Sequence, residues 1–216
     1  MKVLGLTGSI GMGKSTTAAL FRRYRIPVFD ADAAVHGLLA KGGRAVATID
    51  RRFPGTVIDG RVDRARLGAL VFGNPERLAA LEAILHPMVR DLQNAFLARC
   101  RRRRIPWAVL DVPLLLEKTG WRACDRIAVV TAPAFLQAQR VLARPGQSAE
   151  RLAQIRKAQM GDRAKRRAAD FLIPTGRGVA PALRDVRRTI RLMATVKGKK
   201  RCAKLYWIRK PPGSIR

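Results

Sequence analysis

Cysteine is scarce in this chain. Cys100, Cys124 and Cys202 are widely spaced and have no histidine nearby. An odd, scattered set excludes a disulfide framework and a zinc site, and points to a reducing compartment, the cytoplasm. Long apolar runs are missing as well. None approaches the ~18–20 residues that a bilayer span requires, so no membrane association is expected. The first apolar run passes directly into a glycine-rich loop, which is not a signal-peptide layout. No Asn-Lys-x-Asp or Thr-Lys-x-Asp stretch is present to read guanine, and Asp111-Val-Pro-Leu is not the Asp-x-x-Gly of a GTPase switch. No internal repeat occurs.

Acidic residues are few: fifteen Asp and Glu stand against forty-four Lys and Arg, a formal net charge of +29. That excess invites a nucleic-acid reading. Its distribution argues otherwise. Residues 197–216 hold eight basic residues and no acidic one, as in a loose basic tail. Arg99 and Arg101 to Arg104 fall at an expected helix end, where cations favour the helix dipole. The other arginines are scattered among alanine and leucine, as on a solvated helical face. Specific nucleic-acid binding is not expected, although loose attraction to polyanions at low salt is.

What is present begins at once. After the strand-like Val3-Leu4-Gly5-Leu6 comes "TGSIGMGKSTT", in which Gly8, Gly13, Lys14 and Ser15 fit the G-x-x-x-x-G-K-[ST] pattern of a phosphate-binding loop. Thr16 to Tyr24 reads as a helix, so the motif has the strand–loop–helix setting that it needs. Backbone N–H groups of the loop and the helix N-terminus point at one anion. Glycine lets the loop curl inward without side chains blocking the phosphates. Gly8, Gly11, Met12, Gly13, Lys14, Ser15 and Thr16 are the candidate nucleotide contacts. Lys14 would reach the β- and γ-phosphates, and the Ser15 hydroxyl would ligate Mg²⁺.

Further strands are expected at Ile26 to Asp32, from Trp107 with Asp111 near its end, at Ile127 to Thr131, and in "ADFLIP". Helices are expected at 33–39, 44–52, 64–71, from Pro75 onward, at 133–143, after Ser148, and at 180–195. Strands alternating with helices predict an α/β fold: a mainly parallel sheet flanked by helices. Residues 33–104 are too long for one crossover and predict a helical substrate-binding insertion. Asp30 and Asp32 end the second expected strand, where residues two apart share a side. Phosphoryl transfer to an alcohol needs a carboxylate that orients the hydroxyl and takes its proton. An Asp here could equally cap the helix that follows.

With these residues the resemblance becomes specific. "LTGSIGMGKSTTAALF", "VFDADAAVH", "ALEAILHPMVR", "LDVPLLLE" and "ARPGQSAERLAQIRKAQM" stand in the order and spacing of the dephospho-CoA kinases, over about residues 2–194. The resemblance implies a P-loop NTPase-like kinase domain over 1–196, with its core at 1–32, 105–143 and 166–196. A substrate-binding region at 33–104 and a lid at about 140–165 complete it. It implies ATP and Mg²⁺, and transfer of a phosphoryl group to the ribose 3′-hydroxyl of dephospho-CoA, in a monomer or weak homo-oligomer. By the same resemblance Asp32 is the catalytic base, Lys14 and Arg140 act in catalysis, and Arg144 binds the nucleotide from the lid. Asp30, His86, Leu114 and Glu117 become candidate substrate contacts.

The chain departs from the family at Ser9 and Met12, expected to be solvent-side loop positions, and at Pro174, near the adenine. A P-loop kinase for another small metabolite or nucleoside, and a nucleotide-gated polyanion-binding protein, are the alternative readings.

Overall fold

The computed structural model describes residues 1–117 and 119–196, so the expected basic tail and Cys202 lie outside the described residues. The chain divides into two compact units: Met1–Phe29 with the chain from Cys100 onward, and Asp30–Arg99.

The first unit is organised by a five-stranded sheet. β1 (Lys2–Thr7), β2 (Val28–Asp30), β5 (Trp107–Asp111), β6 (Arg126–Thr131) and β7 (Phe171–Pro174) run in the order β2-β5-β1-β6-β7. β1 pairs in parallel with β5 and β6, and β6 with β7. All five residues of β5, and all of β1 and β6 after their first, are buried. Strands covered on both faces read as continuous apolar runs, which is why these segments stand out in the sequence.

The period of two sorts the side chains of β6. Ala128 and Val130 join Ile173 of β7 against helices α1 (Lys14–Arg23) and α9 (Val179–Thr195). Ile127 and Val129 face the other way, into a layer with Leu115, Leu116, Ala168 and Ala169. α9 buries Ala182, Val186, Thr189 and Met193, a stripe at helical spacing. Three shorter helices, α6 (Ala134–Leu142), α7 (Ala149–Ala158) and α8 (Asp162–Ala168), connect β6 to β7. Ser148 caps α7, accepting from the Arg151 N–H at 3.2 Å.

The second unit contains α2 (Ala31–Leu39), α3 (Val46–Arg52), α4 (Arg64–Val71) and most of α5 (Pro75–Arg102), which runs unbroken through Pro87. Leu38, Leu39, Ala45, Ile49, Phe53, Val62 and Leu67 form its core. A two-stranded hairpin of β3 (Val57–Ile58) and β4 (Arg61–Val62) was not expected. Asp59 and Gly60 turn it with φ of 50° and 73°, the paired positive values of a tight two-residue hairpin turn.

One expectation is corrected. The strand expected to carry both carboxylates stops at Asp30, and Asp32 belongs to the first turn of α2. Asp30 caps that helix, accepting from the Ala33 N–H at 3.0 Å. A short polar side chain that can satisfy an orphan helix donor ends the strand early.

Phe21 is fully buried and meets Trp107 edge-on with ring centroids 6.2 Å apart. Phe21→Ala is expected to cost about 3–5 kcal/mol of stability, because the cavity lies between α1 and the sheet and cannot collapse. Urea unfolding monitored by far-UV circular dichroism measures this loss.

Candidate active site

Residues 8–13 leave the C-terminal end of β1 and turn back into α1, whose N-cap Gly13 has φ of 87°. Only glycine adopts that left-handed value cheaply. Gly8 is required for a different reason: a Cβ there would stand 2.7 Å from the Val130 carbonyl oxygen. Backbone cannot yield as a flexible side chain can, so this position is closed to every other residue.

Lys14 opens α1, and its Nζ donates to Asp111 Oδ1 at 2.7 Å. Asp111 ends β5, the neighbour of β1, with its side chain only 2 % exposed. A buried carboxylate needs such a partner. Parallel pairing of β1 with β5 brings both groups to the same end of the sheet. In the sequence Asp111 reads as a strand-terminal acid without a role. Its position at the end of an apolar run beside the loop strand was the available signal. Ser15 and Thr16 are exposed on the first turn of α1.

Met12 is buried, contrary to expectation, and so is Ser9. The thioether of Met12 enters the core between the sheet and α1, and its sulfur accepts from the Ala132 N–H at 3.0 Å. An unbranched, polarisable side chain suits an irregular gap beneath a curled loop. The underside of the loop is therefore core.

The segment after β7 closes on the loop. Thr175 is buried; its hydroxyl donates to the Met12 carbonyl at 2.7 Å and its N–H to the Thr131 carbonyl at 2.8 Å. Arg140, on α6, donates to Thr175 Oγ1 at 3.0 Å, to the Thr175 carbonyl at 2.9 Å and to the Gly11 carbonyl at 3.5 Å. Arg140 thus braces loop and post-β7 segment together. Sequence reasoning missed Thr175, which follows the unusual Pro174. Arg144 is exposed in the turn after α6.

Leu114 is 36 % exposed in the turn after β5, whereas Leu115 and Leu116 are buried. Glu117 Oε1 accepts from the Met160 N–H at 3.0 Å and lies 2.9 Å from Nζ of Lys165, which is fully buried. The ammonium lies close without the alignment of a hydrogen bond, so the contact is an ion pair, and it ties the turn after β5 to α8. In the other unit, Asp32 is exposed on the first turn of α2 and His86 is exposed along α5. Burial pushes the Cys124 thiol up to about 12, with Asp125 adding to the effect, which leaves no nucleophilic thiolate there at neutral pH.

A family model described as dephospho-CoA kinase matches residues 2–180. The chain belongs to the dephospho-CoA kinase family. It is 60 % identical to the dephospho-CoA kinase of Paramagnetospirillum magneticum, over 77 % of this chain and 78 % of the relative. To that of Rhodospirillum rubrum it is 54 % identical, over 87 % and 90 %. A crystal structure from Thermus thermophilus superposes with a TM-score of 0.77 at 38 % identity, covering 91 % of this chain and 98 % of that one. Dephospho-CoA kinase from Campylobacter jejuni shares the fold, with a TM-score of 0.61 at 21 % identity, over 89 % and 97 %.

Gly8→Ala tests the cradle. Displacement of the loop by its contact with the Val130 carbonyl is expected to weaken ATP binding by at least ~10-fold, the weight of one well-placed backbone contact to a charged group. Isothermal titration with ATP reads the change directly.

Proposed function

We propose that this chain transfers the γ-phosphoryl group of ATP to the ribose 3′-hydroxyl of dephospho-CoA, giving ADP and coenzyme A. The observation that carries the reading is the Lys14–Asp111 pair beneath a glycine loop, in a chain of this family. The activity belongs to the cytoplasm, where a chain with scattered free thiols is at home. Among the described residues no helix is long and apolar enough to cross a membrane. We take the chain to act as a monomer or weak homo-oligomer.

The loop N–H groups and α1 receive the phosphates. Lys14 exchanges its hold on Asp111 for the β- and γ-phosphate oxygens, since an ammonium on a flexible stem follows the larger charge. The donor set suits Mg²⁺, which keeps several waters and takes one or two protein oxygens besides the phosphates. The Ser15 hydroxyl and the Asp111 carboxylate supply them. When bound, the metal screens charge on the transferring group.

Asp32 orients the 3′-hydroxyl and accepts its proton as the new P–O bond forms and the bond to the ADP oxygen breaks. The assignment rests on the Asp-Ala-Asp match and on the need for a base at the acceptor. Asp30, His86, Leu114 and Glu117 contribute to acceptor binding. Arg140 holds the loop, and Arg144 closes over the phosphates, so that water is kept from competing with the alcohol.

Incubation with Mg-ATP and either dephospho-CoA or a nucleoside panel is the direct test, followed by ADP release. ADP release with dephospho-CoA is expected; turnover confined to the nucleosides would overturn the substrate. Asp32→Asn should lower kcat by ~10²-fold or more with little change in ATP affinity. An unchanged kcat moves the base elsewhere.

A further inference from the structure

Ile10, in the middle of the phosphate loop, has both peptide groups taken by amide side chains from distant parts of the chain. Its N–H donates to Gln159 Oε1 at 3.2 Å, and its carbonyl accepts from Gln137 Nε2 at 2.8 Å. Gln137 is buried on α6, and Gln159 is the residue that ends α7. Arg156 completes the arrangement: its Nε donates to Gln137 Oε1 at 3.0 Å and its Nη2 to the Ala134 carbonyl at 3.1 Å.

Chemistry fixes the orientation of both amides. An N–H of Ile10 and a guanidinium Nε can only donate, so each must meet a carbonyl oxygen. Gln159 therefore serves Ile10 as acceptor. Gln137 accepts from Arg156 and is left with its NH₂ for the Ile10 carbonyl. α6 also presses on the next residue: a Cβ on Gly11 would stand 2.7 Å from Val141 Cγ2 and 2.9 Å from the Gln137 carbonyl.

We propose that Gln137 and Gln159 are positioning residues for ATP: together they hold the two peptide groups that flank Ile10 in one orientation, and so aim the N–H groups that follow at the phosphates. Each peptide unit is planar and turns as a whole, so a hydrogen bond to the one before Ile10 and another to the one after it restrict rotation on both sides of the residue, whereas a glycine-rich loop left free loses entropy on every binding event. Neither glutamine need touch substrate. The pair also explains why α6 and α7 lie beside the loop: they carry the two hands of the grip.

The inference rests on ATP as the phosphoryl donor, and its test reads ATP binding separately from turnover. Wild-type protein that binds ATP but does not turn over dephospho-CoA would count against the proposed reaction alone. ATP dissociation constants, without metal, and KM values for both substrates are measured for Gln159→Met, Gln159→Glu and Gln137→Glu. About 0.5 M salt screens the added charge.

Gln159→Met removes the acceptor and is expected to weaken ATP binding about tenfold, the effect of leaving one peptide N–H unmet. Gln159→Glu keeps the acceptor and should stay within about twofold of wild type. Gln137→Glu keeps the Arg156 contact but loses the donor, and should fall with Gln159→Met. KM for dephospho-CoA and the thermal midpoint should hardly move. If Gln137→Glu does not fold, the contrast at Gln159 decides. Equal ATP affinity for the Met and Glu variants of Gln159 overturns the proposal.

Discussion

A buried carboxylate held by a lysine at a helix start is the constraint on which the first unit depends. Asp111 cannot stay charged inside the sheet without a cation, and Lys14 supplies one at 2.7 Å. That contact demands that β1 and β5 be neighbours, run the same way and end level. It also demands that the loop between β1 and Lys14 turn tightly enough to begin a helix directly above. The register of Leu6 with Asp111 meets the first demand, and the left-handed Gly13 meets the second.

The rest of the unit reinforces the loop from outside. Met12 anchors it below, Thr175 bridges it to the end of β7, and Arg140 ties both to α6. None of these groups lies near the others in sequence. Their convergence is a product of the sheet order, which sets β6 and β7 on the side of β1 away from β5. The chain that leaves β6 must return to β7, and of the three helices it forms on the way α6 and the end of α7 reach the loop.

Much of this was legible in the sequence and some was not, for physical reasons. The buried strands announce themselves because both faces are apolar, and the loop because no other residues permit its backbone. The family, too, was legible in its motifs. Asp32 reads as a strand residue because strand and cap signals overlap in "VFDAD", and the cap wins two residues earlier, at Asp30. The hairpin at Asp59-Gly60 had its turn signal, but strands of two residues are too short for alternation to show. Met12 reads as a solvent-side residue because sequence does not tell which wall of a curled loop is packed. Contacts such as Gln159 with Ile10, 149 positions apart, are set by tertiary geometry and leave no local mark.

Pro174 has an effect beyond the nucleotide. β7 is the outermost strand on its side of the sheet. The N–H of Thr175 turns inward to β6, so the preceding nitrogen points outward. Proline there has no hydrogen to offer, and only Leu172 remains to donate from a strand of four residues. A second chain seeking to extend the sheet would find almost nothing to zip onto, so this flank resists strand-by-strand aggregation.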